Sequence, residues 1–172
     1  MIERPLILVP GILESSLAIK KDPEFFGIWP LTPSWVPLDD FLDDLLFDLG
    51  NNIREKSMDE KVSVVTTGLL PGAYDAIISA IIKEWGYKIG SNFWTFPYDW
   101  RQSNDISGQM LAEFIKDKIQ DNNNWDSVDI ICHSMGGFVT RAAAIKHGAH
   151  EHIKRTAYIA SPHFGTPLSY FE

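Results

Sequence analysis

Residues 127–137 read Ser-Val-Asp-Ile-Ile-Cys-His-Ser-Met-Gly-Gly, an apolar strand running into a turn of small residues with Ser134 at its apex. A strand that must stop and reverse into a helix holds its apex residue in a strained backbone conformation, with the side chain outward. A serine presented in this way can act as a nucleophile. The residues two positions either side of it have to be small, because strand and helix pass close together there. Gly136 meets this downstream, while Cys132 stands upstream where a glycine is usual, so the pattern is G-x-S-x-G with one substitution. Val139, Ala142, Ala143 and Ile145 then supply an apolar helix face, and Gly148 is placed to end that helix. The alternative is a tight strand-to-helix turn whose serine is inert.

Serine is a weak nucleophile unless a base takes its proton, a carboxylate orients the base and hydrogen-bond donors receive the charge on the acyl oxygen. Two donors can be named. One is the Met135 N–H, directly after the nucleophile. The other is the Ile12 N–H in the loop Val9-Pro10-Gly11-Ile12 after an early strand, where Gly11 lets the backbone turn. Two such amides contribute on the order of several kcal/mol of transition-state stabilisation. The base and the acid are harder to find. In this architecture both follow the serine, and here only Glu151, Glu172, His147, His150, His152 and His163 do so. The first three histidines and Glu151 fall at the far end of the elbow helix, roughly 18 Å or more from Ser134 at 1.5 Å per residue. His163 follows the next strand without an acid to orient it, and loop packing is its expected role. His133 adjoins the nucleophile and is expected to point away from it. The catalytic set is therefore expected to be incomplete within these residues.

Short apolar strands alternate with amphipathic helices along the chain. Strands are expected at Pro5–Val9, Asn92–Phe96, Val128–Ile131 and Thr156–Ala160. One helix face is carried by Ile77, Ile78, Ile81, Ile82 and Trp85 and ends at Gly86. A second is carried by Met110, Leu111, Phe114, Ile115 and Ile119, with Ser103 or Asn104 as cap. Strands that are apolar throughout and separated by helices imply an α/β fold: a mostly parallel sheet with helices on both faces. At 172 residues the chain suits a single domain. Residues 22–72 break the pattern, with four prolines from Pro23 to Pro37, the run Phe25-Phe26-Gly27-Ile28-Trp29-Pro30-Leu31 and an acidic amphipathic stretch after it. They read as an inserted lid or cap over the carboxyl edge of the sheet, with Trp29 and Trp35 suited to an apolar–water boundary, or equally as ordinary core.

A net charge of −8 argues against nucleic acid and offers no attraction to anionic lipid. Cys132 is the one cysteine, so there is no intrachain disulfide, and no zinc or iron–sulfur ligand set is present. Leu6–Val9 is too short for a signal peptide or a membrane span, which gives a cytoplasmic expectation. Serine acyl transfer needs no metal or organic cofactor, and none is expected.

Several motifs together resemble the lecithin:cholesterol acyltransferase family of α/β-hydrolases. Leu8 to Leu17 is similar to that family's oxyanion loop, and Phe25-Phe26-Gly27-Ile28-Trp29 to its tryptophan-bearing lid or membrane-contact segment. Pro97-Tyr98-Asp99-Trp100-Arg101 is the most family-specific stretch, and an Asp99–Arg101 ion pair that fixes its loop is the expected use of those charges. Ser161 to Pro167 resembles the loop after the next strand in lipases. The resemblance implies an acyl-enzyme on Ser134, with Ile12 and Met135 as oxyanion amides and Trp29 on the lid. The acyl donor would be a phospholipid or similar ester, and the acceptor water or an alcohol. It also implies further strands carrying the acid and the histidine. The expectation is therefore a partial α/β-hydrolase sheet with an open edge, completed by a missing carboxyl-terminal part or by self-association, and with possible peripheral membrane contact. Two other readings stay open: a soluble carboxylesterase or thioesterase, and a non-catalytic lipid-binding or interaction module.

Overall fold

The computed structural model describes residues 4–21, 32–33, 62–120 and 125–166. The chain begins with strand β1 (Leu6–Val9), whose side chains are all buried. It is followed by β2 (Ser15–Lys21), β3 (Thr32–Pro33), β4 (Val62–Leu69), helix α1 (Asp75–Lys83) and strand β5 (Phe93–Thr95). Helix α2 (Asn104–Gln120), strand β6 (Val128–His133), helix α3 (Gly136–Lys146) and strand β7 (Ile153–Ile159) complete it. Four strands form a wholly parallel sheet in the order β5-β1-β6-β7.

Both faces of this sheet are covered at β1 and β6, which is why those strands do not alternate polar with apolar, whereas β7 is largely exposed. Ile7 and Val9 of β1 and Val128, Ile130 and Cys132 of β6 point to one face, where they pack with Leu111, Ala112 and Ile115 of α2 and Val139 and Ala143 of α3. Leu6, Leu8, Phe93 and Ile131 point to the other, against Ile81 of α1 and Tyr74 just before it. Each large aliphatic side chain buried in this way contributes about 1.5–3 kcal/mol. Asp129 is the polar exception on β6. Arg4 and Arg155 flank its carboxylate, with Arg155 donating through Nε at 3.1 Å. Burial works to raise its pKa, but the two guanidiniums outweigh burial and hold it below the usual carboxylate range.

The expected strands and helices are present, yet several expected faces are turned. On α2 the buried side is Ser107, Gly108, Leu111, Ala112 and Ile115, while Met110 faces solvent. Ser103 caps this helix, its Oγ accepting the Ile106 N–H at 3.3 Å. A Cβ on Gly108 would come within 2.7 Å of Ala142 Cβ and 2.9 Å of the Ala143 nitrogen. Small residues, not Met110, therefore set the α2–α3 spacing. Ile145 of α3 is exposed rather than part of its core face. On α1, Ile81 is fully buried but Trp85 lies beyond the helix end and is half exposed.

A second sheet was not apparent from the sequence: β2 pairs antiparallel with β4 and with the short β3. The β2–β4 ladder runs from Ser15 opposite Leu69 to Lys21 opposite Val62. The inserted segment expected over residues 22–72 thus ends in a strand from Val62 onward. Its aromatic run with Trp29, Trp35 and its acidic amphipathic stretch lie outside the described residues. No helix among the described residues is long and apolar enough to cross a membrane.

Two measurements check this packing. Gly108→Ala gains helix propensity but drives a carbon into the α3 backbone, so the net effect is a loss of about 1–3 kcal/mol on denaturant unfolding. The paired change Gly108→Ala with Ala142→Gly should recover part of that loss, and a Gly108→Ala protein as stable as wild type would mean that the helices can separate freely. Asp129 has a depressed folded-state pKa, so its contribution is present above the normal carboxylate pKa and is lost as pH falls through the folded value. The stability gap between wild type and Asp129→Asn should accordingly narrow as unfolding is followed from pH 7 to pH 3.

Candidate active site

Ser134 is the residue after β6 and lies two before α3. Its φ is 49°, in the left-handed region that a non-glycine residue enters at a cost of about 1–2 kcal/mol. The turn is held by the Ser134 N–H, which donates to Ile159 O at 2.9 Å, and by the Gly137 N–H, which donates to Ser134 O at 3.1 Å.

Two glycines make the turn possible, each against a different neighbour. A Cβ on Gly136 would collide with the carbonyl oxygens of Pro10 and Val9, the latter at 2.6 Å. A Cβ on Gly137 would overlap the side chain of Ser161, with Ser161 Cβ at 2.7 Å. The elbow is thereby wedged between the loop after β1 and the loop after β7. Cys132, where glycine is usual, is fully buried on the α2–α3 face, and its Sγ lies 3.5 Å from Ala157 O. Burial pushes its thiol up to about 11, against smaller opposing effects of Thr140 and Ser161, so it stays protonated and unreactive at neutral pH.

The loop after β1 runs beside the serine, with Ser134 Cβ 2.9 Å from where a Gly11 Cβ would stand. Gly11 is not itself in a left-handed conformation; that role falls to Leu13, at φ 62°. The sequence expectation that glycine serves here to turn the backbone is therefore revised. Glycine is needed because a side chain at residue 11 would meet Ser134 on one side and the Glu14 carboxylate on the other. Among the described residues, neither the Ile12 nor the Met135 N–H has a hydrogen-bond partner.

The Pro97–Arg101 stretch turns out to be the brace for this loop. Tyr98 is buried and its hydroxyl donates to Pro10 O at 3.0 Å, while its N–H donates to Ser15 Oγ at 3.1 Å. Trp100 Nε1 donates to Ser15 O at 3.2 Å. Arg101 grips Asp99 through Nε and Nη2, both at 2.8 Å, and its own N–H bonds the same carboxylate. That ion pair closes the turn carrying Tyr98 and Trp100, the structural role expected for it.

A group that sequence reading missed lies on the α1 face. The Glu14 carboxylate accepts the Gly11 N–H and the Tyr74 hydroxyl, and His133 Nδ1 lies 2.9 Å from the same oxygen. Tyr74 is the residue before α1, and its hydroxyl also accepts the Gly11 N–H at 3.0 Å. His133 therefore faces away from the α2–α3 side, towards Glu14 and Tyr74.

None of the five histidines shares a hydrogen bond with Ser134 among the described residues. His147 meets Asp105 at 2.9 Å, and His150 and His152 contact the backbone carbonyls of Ala144 and Asp126. His163 sits edge-on against Tyr158 and Phe138, and its buried Nδ1 has no hydrogen-bond partner among the described residues. Trp29, expected on the lid, lies outside the described residues. Among the described residues no three His, Cys, Asp or Glu side chains converge as a metal site.

The two glycines of the elbow separate by what opposes them. Gly136→Ala meets backbone oxygens that cannot move, and should cost about 3 kcal/mol or more, or abolish folding. Gly137→Ala meets a serine side chain and should cost less, with Ser161→Gly recovering part of it. Equal losses in thermal unfolding would contradict this division.

Comparison with known proteins bears on the same residues. The sequence model of the lecithin:cholesterol acyltransferase family matches residues 61–170, a range that includes the elbow and the Pro97–Arg101 brace. An uncharacterised protein of Saccharomyces cerevisiae is 32% identical over 132 residues, covering 74% of this chain. The chain spans 20% of that relative's length.

Proposed function

The chain belongs to the lecithin:cholesterol acyltransferase family, and with it to the α/β-hydrolases, and on that premise we propose that it carries the nucleophile half of a serine acyl-transfer site acting on lipid esters. The observation that carries the reading is Ser134 itself. It is held at φ 49° against the loop that carries Gly11 and Ile12, and the Ile12 and Met135 amides have no hydrogen-bond partner among the described residues. An unpartnered pair of N–H groups next to a strained serine is what a developing oxyanion requires.

In this reading Ser134 Oγ attacks the carbonyl carbon of an ester and its proton passes to a general base. The carbonyl oxygen becomes an oxyanion between the Ile12 and Met135 amides. Collapse breaks the bond to the alcohol, which leaves with that proton, and an acyl-enzyme remains. Water or a second alcohol then attacks the acyl carbon and releases Ser134. No histidine among the described residues is bonded to Ser134, so the base and its orienting acid are assigned to a part of the full-length protein outside them.

The lid role of residues 22–72, with Trp29 against the acyl chain or a membrane surface, belongs to the same proposal. It is supported by where the segment is rooted: the β2–β4 ladder starts at Ser15 and Leu69, immediately after the loop bearing Ile12, and closes at Lys21 and Val62.

The test uses the full-length protein. A fluorophosphonate probe should label the wild type and not Ser134→Ala, and hydrolysis of phospholipid vesicles should fall by at least about 1,000-fold in the variant. Labelling that survives Ser134→Ala, or vesicle binding without any Ser134-dependent turnover, would overturn the reading in favour of a non-catalytic lipid-binding module. Faster turnover of short soluble esters than of phospholipid would instead favour a carboxylesterase.

A further inference from the structure

We propose that Glu14 is a positioning residue for acyl transfer: its carboxylate holds the middle of the loop Pro10–Glu14 so that the Ile12 N–H faces the acyl oxygen. The inference rests on the acyl-transfer reading of Ser134 and adds to it a side chain that neither the elbow nor the Pro97–Arg101 motif includes.

Both ends of the loop are fixed without the Glu14 side chain. At the start, Pro10 O accepts the Tyr98 hydroxyl. At the finish, the Leu70 N–H donates to Glu14 O at 2.9 Å, and Ser15 is bonded by Tyr98 and Trp100. Between these anchors lie Gly11, Ile12 and Leu13. Ile12 and Leu13 have exposed side chains, and among the described residues the Gly11 N–H is tied only to the Glu14 carboxylate and the Tyr74 hydroxyl. With the Gly11 amide engaged there, the Ile12, Leu13 and Glu14 amides that follow have no hydrogen-bond partner among the described residues, and that of Ile12 is the one the acyl-transfer reading assigns to the acyl oxygen. The turn then returns through Leu13 at φ 62°. Rotation of the Gly11–Ile12 peptide, which costs little in an untied loop containing glycine, would swing the Ile12 N–H away.

The same carboxylate oxygen also faces His133, the residue immediately before the nucleophile, and Tyr74 at the start of α1. Tyr74 contacts His133 Nδ1 at 3.1 Å as well. One oxygen atom therefore links the donor loop to the strand that delivers Ser134. Burial foremost, and then the bond to Glu14, raise the Tyr74 pKa far above its ordinary value, so its hydroxyl keeps the proton it donates. A group with this geometry sets the distance between nucleophile and donor without touching substrate.

The experiment compares wild type, Glu14→Ala, Glu14→Gln and Tyr74→Phe in the full-length protein. The readouts are ester turnover, affinity for a boronic acid that mimics the tetrahedral adduct, and thermal midpoint. A positioning role predicts that Glu14→Ala lowers kcat by about 10- to 100-fold, with KM within about twofold, because the interaction it supports forms only in the transition state. Boronate affinity should fall in proportion. Glu14→Gln, which keeps an acceptor oxygen, should recover part of kcat, and Tyr74→Phe should lose about 3- to 10-fold. If Glu14→Ala does not fold, the last two variants carry the same comparison. Unchanged kcat and boronate affinity in variants that still label at Ser134 would overturn the positioning role alone. A drop in kcat matched by a rise in KM and a lower thermal midpoint, unrecovered by Glu14→Gln, would make Glu14 merely structural. A wild type that never reacts at Ser134 would overturn both this role and the acyl-transfer reading.

Discussion

There is no room for a single carbon between residue 136 and the carbonyls that end β1, and the site is organised around that contact. It forces the start of α3 against the loop after β1, so that loop and the turn into α3 come from different elements yet meet at one serine. Gly137 repeats the approach towards Ser161 in the loop after β7, and Gly108 repeats it between α2 and α3. Helix α3 is therefore seated by three contacts in which a missing side chain lets backbone approach backbone or a short side chain. Packing of this kind is intolerant of added volume, because a dense interior cannot absorb even one methylene without displacing neighbours.

The strain at Ser134 has to be offset by the structure around it. About 1–2 kcal/mol for a left-handed serine is comparable to one or two hydrogen bonds, each worth about 1 kcal/mol net. The turn has more than that: the bonds to Ile159 O and from Gly137, and the braced loop pressing on Gly136. The brace relies on neutral phenols. Burial raises the pKa of Tyr98 well above its ordinary value, and that of Tyr74 likewise, so both hydroxyls remain donors across the physiological range. Two tyrosines from opposite faces of the sheet thus secure one loop, Tyr98 at Pro10 and Tyr74 at Gly11 and Glu14.

What was legible in the sequence was whatever a local pattern determines. The parallel strands, the elbow and the alternation with helices follow from apolar runs and turn residues, and the structure has them. Faces of helices were read less well, because Ser107, Gly108 and Ala112 bury α2 by being small, and a search for large apolar residues favours Met110 instead. The strand β4, Val62–Leu69, carries a β-branched run that signals a strand, but a reading of residues 22–72 as one insertion absorbs it. Glu14 and Tyr74 could not be found from spacing at all. They are 60 residues apart, and each looks like an ordinary surface or core residue until the fold brings the carboxylate to the Gly11 amide.

The cysteine at 132 shows why the elbow survives a departure from its usual pattern. Neighbouring residues on a strand point to opposite faces, so Cys132 and His133 divide the two sides of β6 between them. Cys132 points into the α2–α3 core, where Ala157 O lies against its sulfur and Thr140 lies close by. Thr140 in turn donates its hydroxyl to Gly136 O at 2.8 Å, inside the first turn of α3. A side chain at 132 therefore packs in the core between β6 and the helices, where a small apolar group fits. The tight passage lies downstream, at Gly136, where the obstacle is backbone. The two flanking positions of the motif are thus unequal in this chain: the upstream one needs only a small apolar group, and the downstream one needs none.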